Sequence, residues 1–224
     1  MGLTIHYDLE FSGTGIEVQN KLKELKFYAG QLPFAEINGP AVLDYKKWTI
    51  EKKHAKKGYN DWRDWASIQG MNYEKGDANG PKAYCLNLFP GEGCEDMNIG
   101  LRQHEGSSLY SSRLWTWDSF CKTQYAEEFV KCHLLVIRIL DECKRLGILK
   151  EVKDEGKYWE TRDIRVLGEN INESTEMLQS FSKKLSKTGF RIEAPIAERA
   201  NKMTGLEIEF AEKNKQILPV DGNN

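Results

Sequence analysis

Between residues 3 and 11 the chain alternates without a break: Leu3, Ile5, Tyr7, Leu9 and Phe11 are apolar, while Thr4, His6, Asp8 and Glu10 are polar. A two-residue period is that of a β-strand with one covered face. The pattern therefore predicts a sheet and puts His6, Asp8 and Glu10 together on its other face. Ser12-Gly13-Thr14-Gly15 then turns the chain, and Thr14 with Glu17 three residues on matches a capping box. Val18, Leu22, Leu25 and Ala29 follow helical spacing towards a stop near Gly30. A second strand is expected around Phe34 to Ile37, closed by an Asn38-Gly39-Pro40 turn.

Further on, Tyr84 to Phe89 and Met97 to Arg102 read as strands joined by the turn-rich Pro90-Gly91-Glu92-Gly93-Cys94-Glu95. Leu114-Trp115-Thr116-Trp117 predicts another. Ala126 to Gly147 is the strongest helix, with Phe129, His133, Val136, Ile137, Leu140 and Cys143 on one stripe and Gly147 as its stop. A short strand from Ile148 to Val152 follows. Ile164, Leu167, Ile171, Leu178, Phe181 and Leu185 predict a second long helix from about Glu160 to Lys187.

Three stretches complete the plan. Residues 46–69 predict two short helices broken at Gly58, and residues 70–81 read as a flexible surface loop. Leu206, Ile208 and Phe210 alternate with Glu207 and Glu209, which predicts an edge strand near 206–210 whose glutamates discourage aggregation. No repeat or composition shift marks a boundary. The expectation is one α+β domain over residues 1–224, an antiparallel or mixed sheet with two long helices packed on one face.

Composition narrows the partners. The 224 residues, 40% of them hydrophobic, suffice for a sizeable core, and 32 basic against 34 acidic residues leave a net charge of -2. No global field draws such a chain to nucleic acid or to an anionic membrane. The lysine-rich stretch with Trp48, Trp62 and Trp65 is accordingly read as a solvated face rather than a single-strand binder. No run approaches the ~18 to 20 apolar residues of a membrane span, and a soluble cytoplasmic protein is expected. Five cysteines without paired spacing argue for core thiols rather than a disulfide framework.

Met1 to Tyr7 (MGLTIHY), Gly93-Cys94-Glu95, Trp117 to Ala126 (WDSFCKTQYA), Cys132-His133-Leu134, Asp154-Glu155-Gly156 and Tyr158-Trp159-Glu160 together resemble an uncharacterised family of bacterial hypothetical proteins. The similarity runs from residue 1 to about 185, and WDSFCKTQYA is its most specific part. It implies no catalytic role for any residue.

The chemistry must therefore be sought in constellations. Gly13-Thr14-Gly15 lacks the third glycine of a dinucleotide loop and the Gly-Lys-Ser/Thr of a P-loop, and no nucleophile elbow, His-Glu-x-x-His helix or Cys-x-x-Cys is present. His6 and Asp8, about 7 Å apart on one strand face, are candidate metal ligands if a third carboxylate such as Glu95 joins them. The plainer reading is a solvated polar face. Around the junction of a strand and the strongest helix, Cys121, Lys122 and Tyr125 are the candidate catalytic residues, because a helix start beside Lys122 would favour a Cys121 thiolate. Against this stand a buried core Cys121 and a hydrogen-bonded core His133. Asp154, Glu155, Lys157, Glu160, Arg162 and Asp163 read as a capping and docking cluster, and Glu151-Val152-Lys153 with Asp118 is a weak match to a metal-dependent nuclease.

Every chemical motif tested is incomplete. The leading expectation is a non-catalytic ligand-binding or protein-interaction module for an unidentified small molecule or protein, with no cofactor indicated. The alternative is a hydrolase or metal-dependent enzyme with a pocket between the first strand and the Trp115 to Tyr125 segment.

Overall fold

The computed structural model describes residues 3–43, 83–103, 114–123 and 128–173. Six strands form one antiparallel sheet: β1 (Thr4–Ser12), β2 (Glu36–Leu43), β3 (Ala83–Phe89), β4 (Met97–Gln103), β5 (Leu114–Lys122) and β6 (Leu149–Asp154), in the order β2-β3-β4-β5-β1-β6. Among the described residues the helices are α1 (Gly15–Ala29), α2 (Phe129–Arg145) and the single turn α3 (Tyr158–Thr161), with residues 164–173 also helical, and with the sheet they make an α+β fold. Among the described residues no helix is long and apolar enough to cross a membrane.

Strand β1 follows its sequence pattern. Leu3, Ile5, Tyr7 and Leu9 are buried, and His6 lies exposed on the opposite face. Helix α1 begins at the expected capping box, where the Glu17 N–H donates to Thr14 Oγ1 (3.3 Å) and the Thr14 N–H donates to Glu17 Oε2 (2.6 Å). It buries Val18, Leu22, Leu25 and Ala29 and ends at Gly30. Helix α1 packs against β2 and β3, α2 against β6, and the two helices touch. Their apolar faces share one core with the odd positions of β1. Helix α2 closes at a left-handed Gly147 (φ 67°), whose N–H donates to the Lys144 carbonyl while the Ile148 N–H donates to that of Cys143, both at 3.0 Å. This double bond satisfies carbonyls that a helix end leaves unpaired.

Two expectations need correcting. Asn38-Gly39-Pro40 does not close β2: the strand runs on to Leu43, and the register shifts between Asn38 and Ala41. Gly39 takes φ +94°, and a Cβ there would lie 2.8 Å from the Cys85 carbonyl oxygen, so the turn-like residues build a bulge instead. The second long helix does not run unbroken from Glu160. Arg162 adopts a left-handed φ of 54° after α3, and helix resumes at residue 164. Its predicted stripe holds where described, with Ile164, Leu167 and Ile171 buried. Residues 174–187, the helices of 46–69, the loop of 70–81 and the strand of 206–210 lie outside the described residues.

The sheet has two unlike halves. In β3 and β4 the first six residues of each strand are buried on both faces, whereas β1, β5 and β6 keep a polar outer face. Strands β4 and β5 pair at Arg102–Thr116 and Gln103–Trp115. Beyond that ladder the Tyr7 hydroxyl and the Trp117 indole N–H both donate to the Asn98 carbonyl, at 2.8 and 2.9 Å. The two large side chains thus supply hydrogen bonds that the ladder does not.

Candidate functional site

The outer face of β5-β1-β6 carries a cluster of ionisable side chains. Antiparallel register sets Asp8 opposite Asp118 on one side and Glu151 on the other, so three acidic residues form a row across three strands. The neighbouring row is Phe120, His6 and Lys153. His6, Asp8, Asp118, Ser119 and Phe120 line an open concavity of about 270 Å³. The Ser119 side chain is used on the buried side, where it hydrogen-bonds the Tyr7 phenol.

Like charges directly opposed on a sheet are destabilising. Partial burial, reinforced by the Asp118 charge and a hydrogen bond between the two carboxyl groups, raises the Asp8 pKa above the usual aspartate value. Basic side chains stand at the margins of the row, and the charge of Lys150 offsets part of the Asp8 shift. A register shift between Asp8 and Leu9 leaves Lys150 as an extra residue in β6, and its Nζ reaches Glu10 Oε2 at 2.8 Å. His6 Nε2 lies 4.0 Å from Glu155 Oε1. Among the described residues no ion pair reaches Asp8 or Asp118.

The proposed metal set is not assembled. Glu95 accepts from the Lys122 N–H through Oε2 (3.2 Å), at the end of β5 opposite Thr4. Asp118 lies four residues back along that strand, about 13 Å at ~3.3 Å per residue. Among the described residues no three His, Cys, Asp or Glu side chains are grouped to hold a metal ion.

Cys121 and Lys122 do not form a joint site either. Both belong to β5, ahead of the helix start at Phe129, and neighbouring residues on a strand project to opposite faces. Cys121 is fully buried and its thiol donates to the Glu95 carbonyl at 3.1 Å. The expected helix-start activation is therefore absent: the strand extends to Lys122, well past Trp117. Tyr125 lies outside the described residues.

A second polar constellation sits inside the core. His133, on the apolar stripe of α2, is wholly buried and bridges Thr123 and Asp154: Nδ1 lies 3.0 Å from Thr123 Oγ1, and Nε2 lies 3.2 Å from Asp154 Oδ2. Asp154 also accepts the Gly156 N–H on Oδ1 (2.7 Å) and the Trp159 N–H on Oδ2 (2.9 Å). Burial alone would raise this carboxyl, but the hydrogen bond and attraction of His133, with the two N–H donors, hold it below the usual aspartate range. Thr123, His133 and Asp154 each have a partner within this network, which pins the end of β6 and the start of α3 to α2. Arg162 adds a bidentate pair to Asp141, both bonds at 2.8 Å. Asp154 and Arg162 of the expected capping and docking cluster thus perform that role, while Asp154 as the partner of His133 was not visible in the sequence.

Comparison of the chain with protein-family models, with curated proteins and with solved structures finds no match.

Proposed function

We propose that the protein is a non-catalytic binding module whose outer β5-β1-β6 face receives a ligand presenting a positively charged amine or guanidinium group, on a small molecule or a protein. The observation that carries this reading is the direct opposition of Asp8 and Asp118 in an open concavity, where among the described residues no ion pair reaches either carboxylate and the charge of Lys150, itself paired with Glu10, offsets the repulsion only in part. A bound cation would relieve the repulsion and draw the Asp8 carboxyl back down. Phe120 and His6 beside the pair supply ring surface, their centroids 5.9 Å apart, over which a cationic group can also pack. Exposed ion pairs contribute only about 0.2–1 kcal/mol each. An isolated amine should thus bind weakly, and a tight ligand must also cover the neighbouring sheet surface.

Titration of isotope-labelled protein with spermidine tests this. Amide shifts should concentrate at residues 6–8, 118–120 and 151–153, weaken with added salt, and disappear in the double variant Asp8→Asn, Asp118→Asn. Shifts absent from these strands, or unchanged in that variant, would overturn the proposal.

A second reading rests on the direct opposition of the Asp8 and Asp118 carboxyl groups and the raised pKa of Asp8. Two carboxyls sharing a proton, one with a raised pKa, are the equipment of general acid–base hydrolysis. Turnover of an ester or glycoside substrate, lost in Asp8→Asn, would favour this reading over binding alone.

A further inference from the structure

The five cysteines are all reduced and buried, but they are not evenly spread. Cys94 Sγ lies 3.8 Å from Cys121 Sγ and donates to the Lys122 carbonyl at 3.5 Å, and Cys132 is near enough to shift the Cys94 pKa. Cys85, on β3 opposite Gly100, and Cys143, on α2, belong to other parts of the core. Cys94 sits between β3 and β4, after Gly93 in a left-handed conformation (φ 76°), and its N–H donates to the Gly91 carbonyl. The next residue, Glu95, ties this connection to the end of β5 through its N–H, which donates to the Lys122 carbonyl at 3.0 Å. Of the three clustered cysteines Cys94 is the most exposed residue, at 9% against 0% for Cys121 and 1% for Cys132.

We propose that Cys94 and Cys121 form an oxidation site, in which a hydroperoxide oxidises Cys94 and Cys121 then closes an intramolecular disulfide. The Cys94 sulfur attacks a peroxide oxygen; the O–O bond breaks, water or an alcohol leaves, and Cys94 becomes a sulfenic acid. The Cys121 sulfur attacks that sulfur; the S–S bond forms, the S–O bond breaks, and the hydroxyl departs as water with the Cys121 proton. The two thiols lose two electrons and the peroxide accepts them. A disulfide needs about 2.05 Å between sulfurs, so the pair closes by side-chain rotation and a small shift of the β3–β4 connection. The bond locks that connection to β5 and restricts the unfolded chain, which stabilises the oxidised form.

The hydrogen bond with Cys121, together with burial, pushes the Cys94 thiol up. The thiolate is therefore scarce at neutral pH, and the reaction is slow compared with that of an activated cysteine.

The test treats the folded full chain with hydrogen peroxide, blocks remaining thiols with N-ethylmaleimide in denaturant, and maps peptides by mass spectrometry. A Cys94–Cys121 crosslink, lighter by two hydrogens and reversed by dithiothreitol, is expected, with Cys85 and Cys143 still alkylated and the melting temperature raised by several degrees. Cys132→Ser should keep the crosslink and Cys94→Ser should abolish it. A Cys94–Cys132 crosslink, intermolecular disulfides alone, over-oxidised Cys94 without a crosslink, or no oxidation would each overturn the assignment. Because the crosslink is mapped in the unaltered protein, the outcome stands even if Cys94→Ser does not fold.

Discussion

Two histidine and aspartate neighbourhoods occupy opposite faces of the β1–β6 ladder, one residue apart along β1. His6, opposite Lys153, stands on the outer face beside Asp8; Asp154, opposite Ile5, reaches the buried His133. The outer carboxylate faces a second carboxylate, and its pKa is raised by partial burial and that neighbour. The inner one receives His133 and two backbone N–H groups, and its pKa falls despite burial. Identical residue types thus shift in opposite directions. A polar network that is satisfied on every side stabilises the fold, whereas one that opposes like charges in the open costs stability.

The largest expected effect breaks the inner network. His133→Ala or Asp154→Ala leaves a buried partner unpaired, and each should lower unfolding stability by about 3–5 kcal/mol in denaturant melts. Gly156→Ala should cost less, about 1–3 kcal/mol by overpacking, because its Cβ would meet Leu167 Cδ1 at 2.6 Å and both Asp154 Oδ1 and His133 Cε1 at 3.1 Å. Acid titration sharpens the contrast through its sign. A depressed carboxyl such as Asp154 contributes stability that is present above the unfolded-state pKa and lost as pH falls through the lower folded value. A raised one such as Asp8 acts in reverse: the folded state gains stability as pH falls from neutral through the raised pKa towards the ordinary aspartate value. Subtracting the stability profile of Asp8→Asn from that of the unaltered protein should expose this second slope.

Local patterns were legible where one element carries the whole signal. The period of β1, the capping box at Thr14 and the stop at Gly147 each lie within a few residues, and the structure reproduces them. The outer site was half legible: His6 and Asp8 share a strand face by spacing alone, but Asp118 and Glu151 join them only through register, which a single strand does not reveal. His133 and Asp154 are 21 residues apart on different elements, and nothing in either segment announces the other. A histidine on an otherwise apolar stripe followed by an aspartate at a strand end was the available signal. Cys121 misled for a related reason, since the strand signal of Leu114 to Trp117 did not show that β5 continues to Lys122.

The outer aspartate pair opposes like charges at a cost in stability, while the inner aspartate is structural. Equilibrium unfolding of Asp8→Asn and Asp154→Asn at pH 7 tests it most directly. Opposite signs are expected: Asp8→Asn, which removes one of two facing charges and keeps a hydrogen-bond donor for Asp118, raises stability by about 0.2–1 kcal/mol, and Asp154→Asn lowers it. Destabilisation by both substitutions would contradict it.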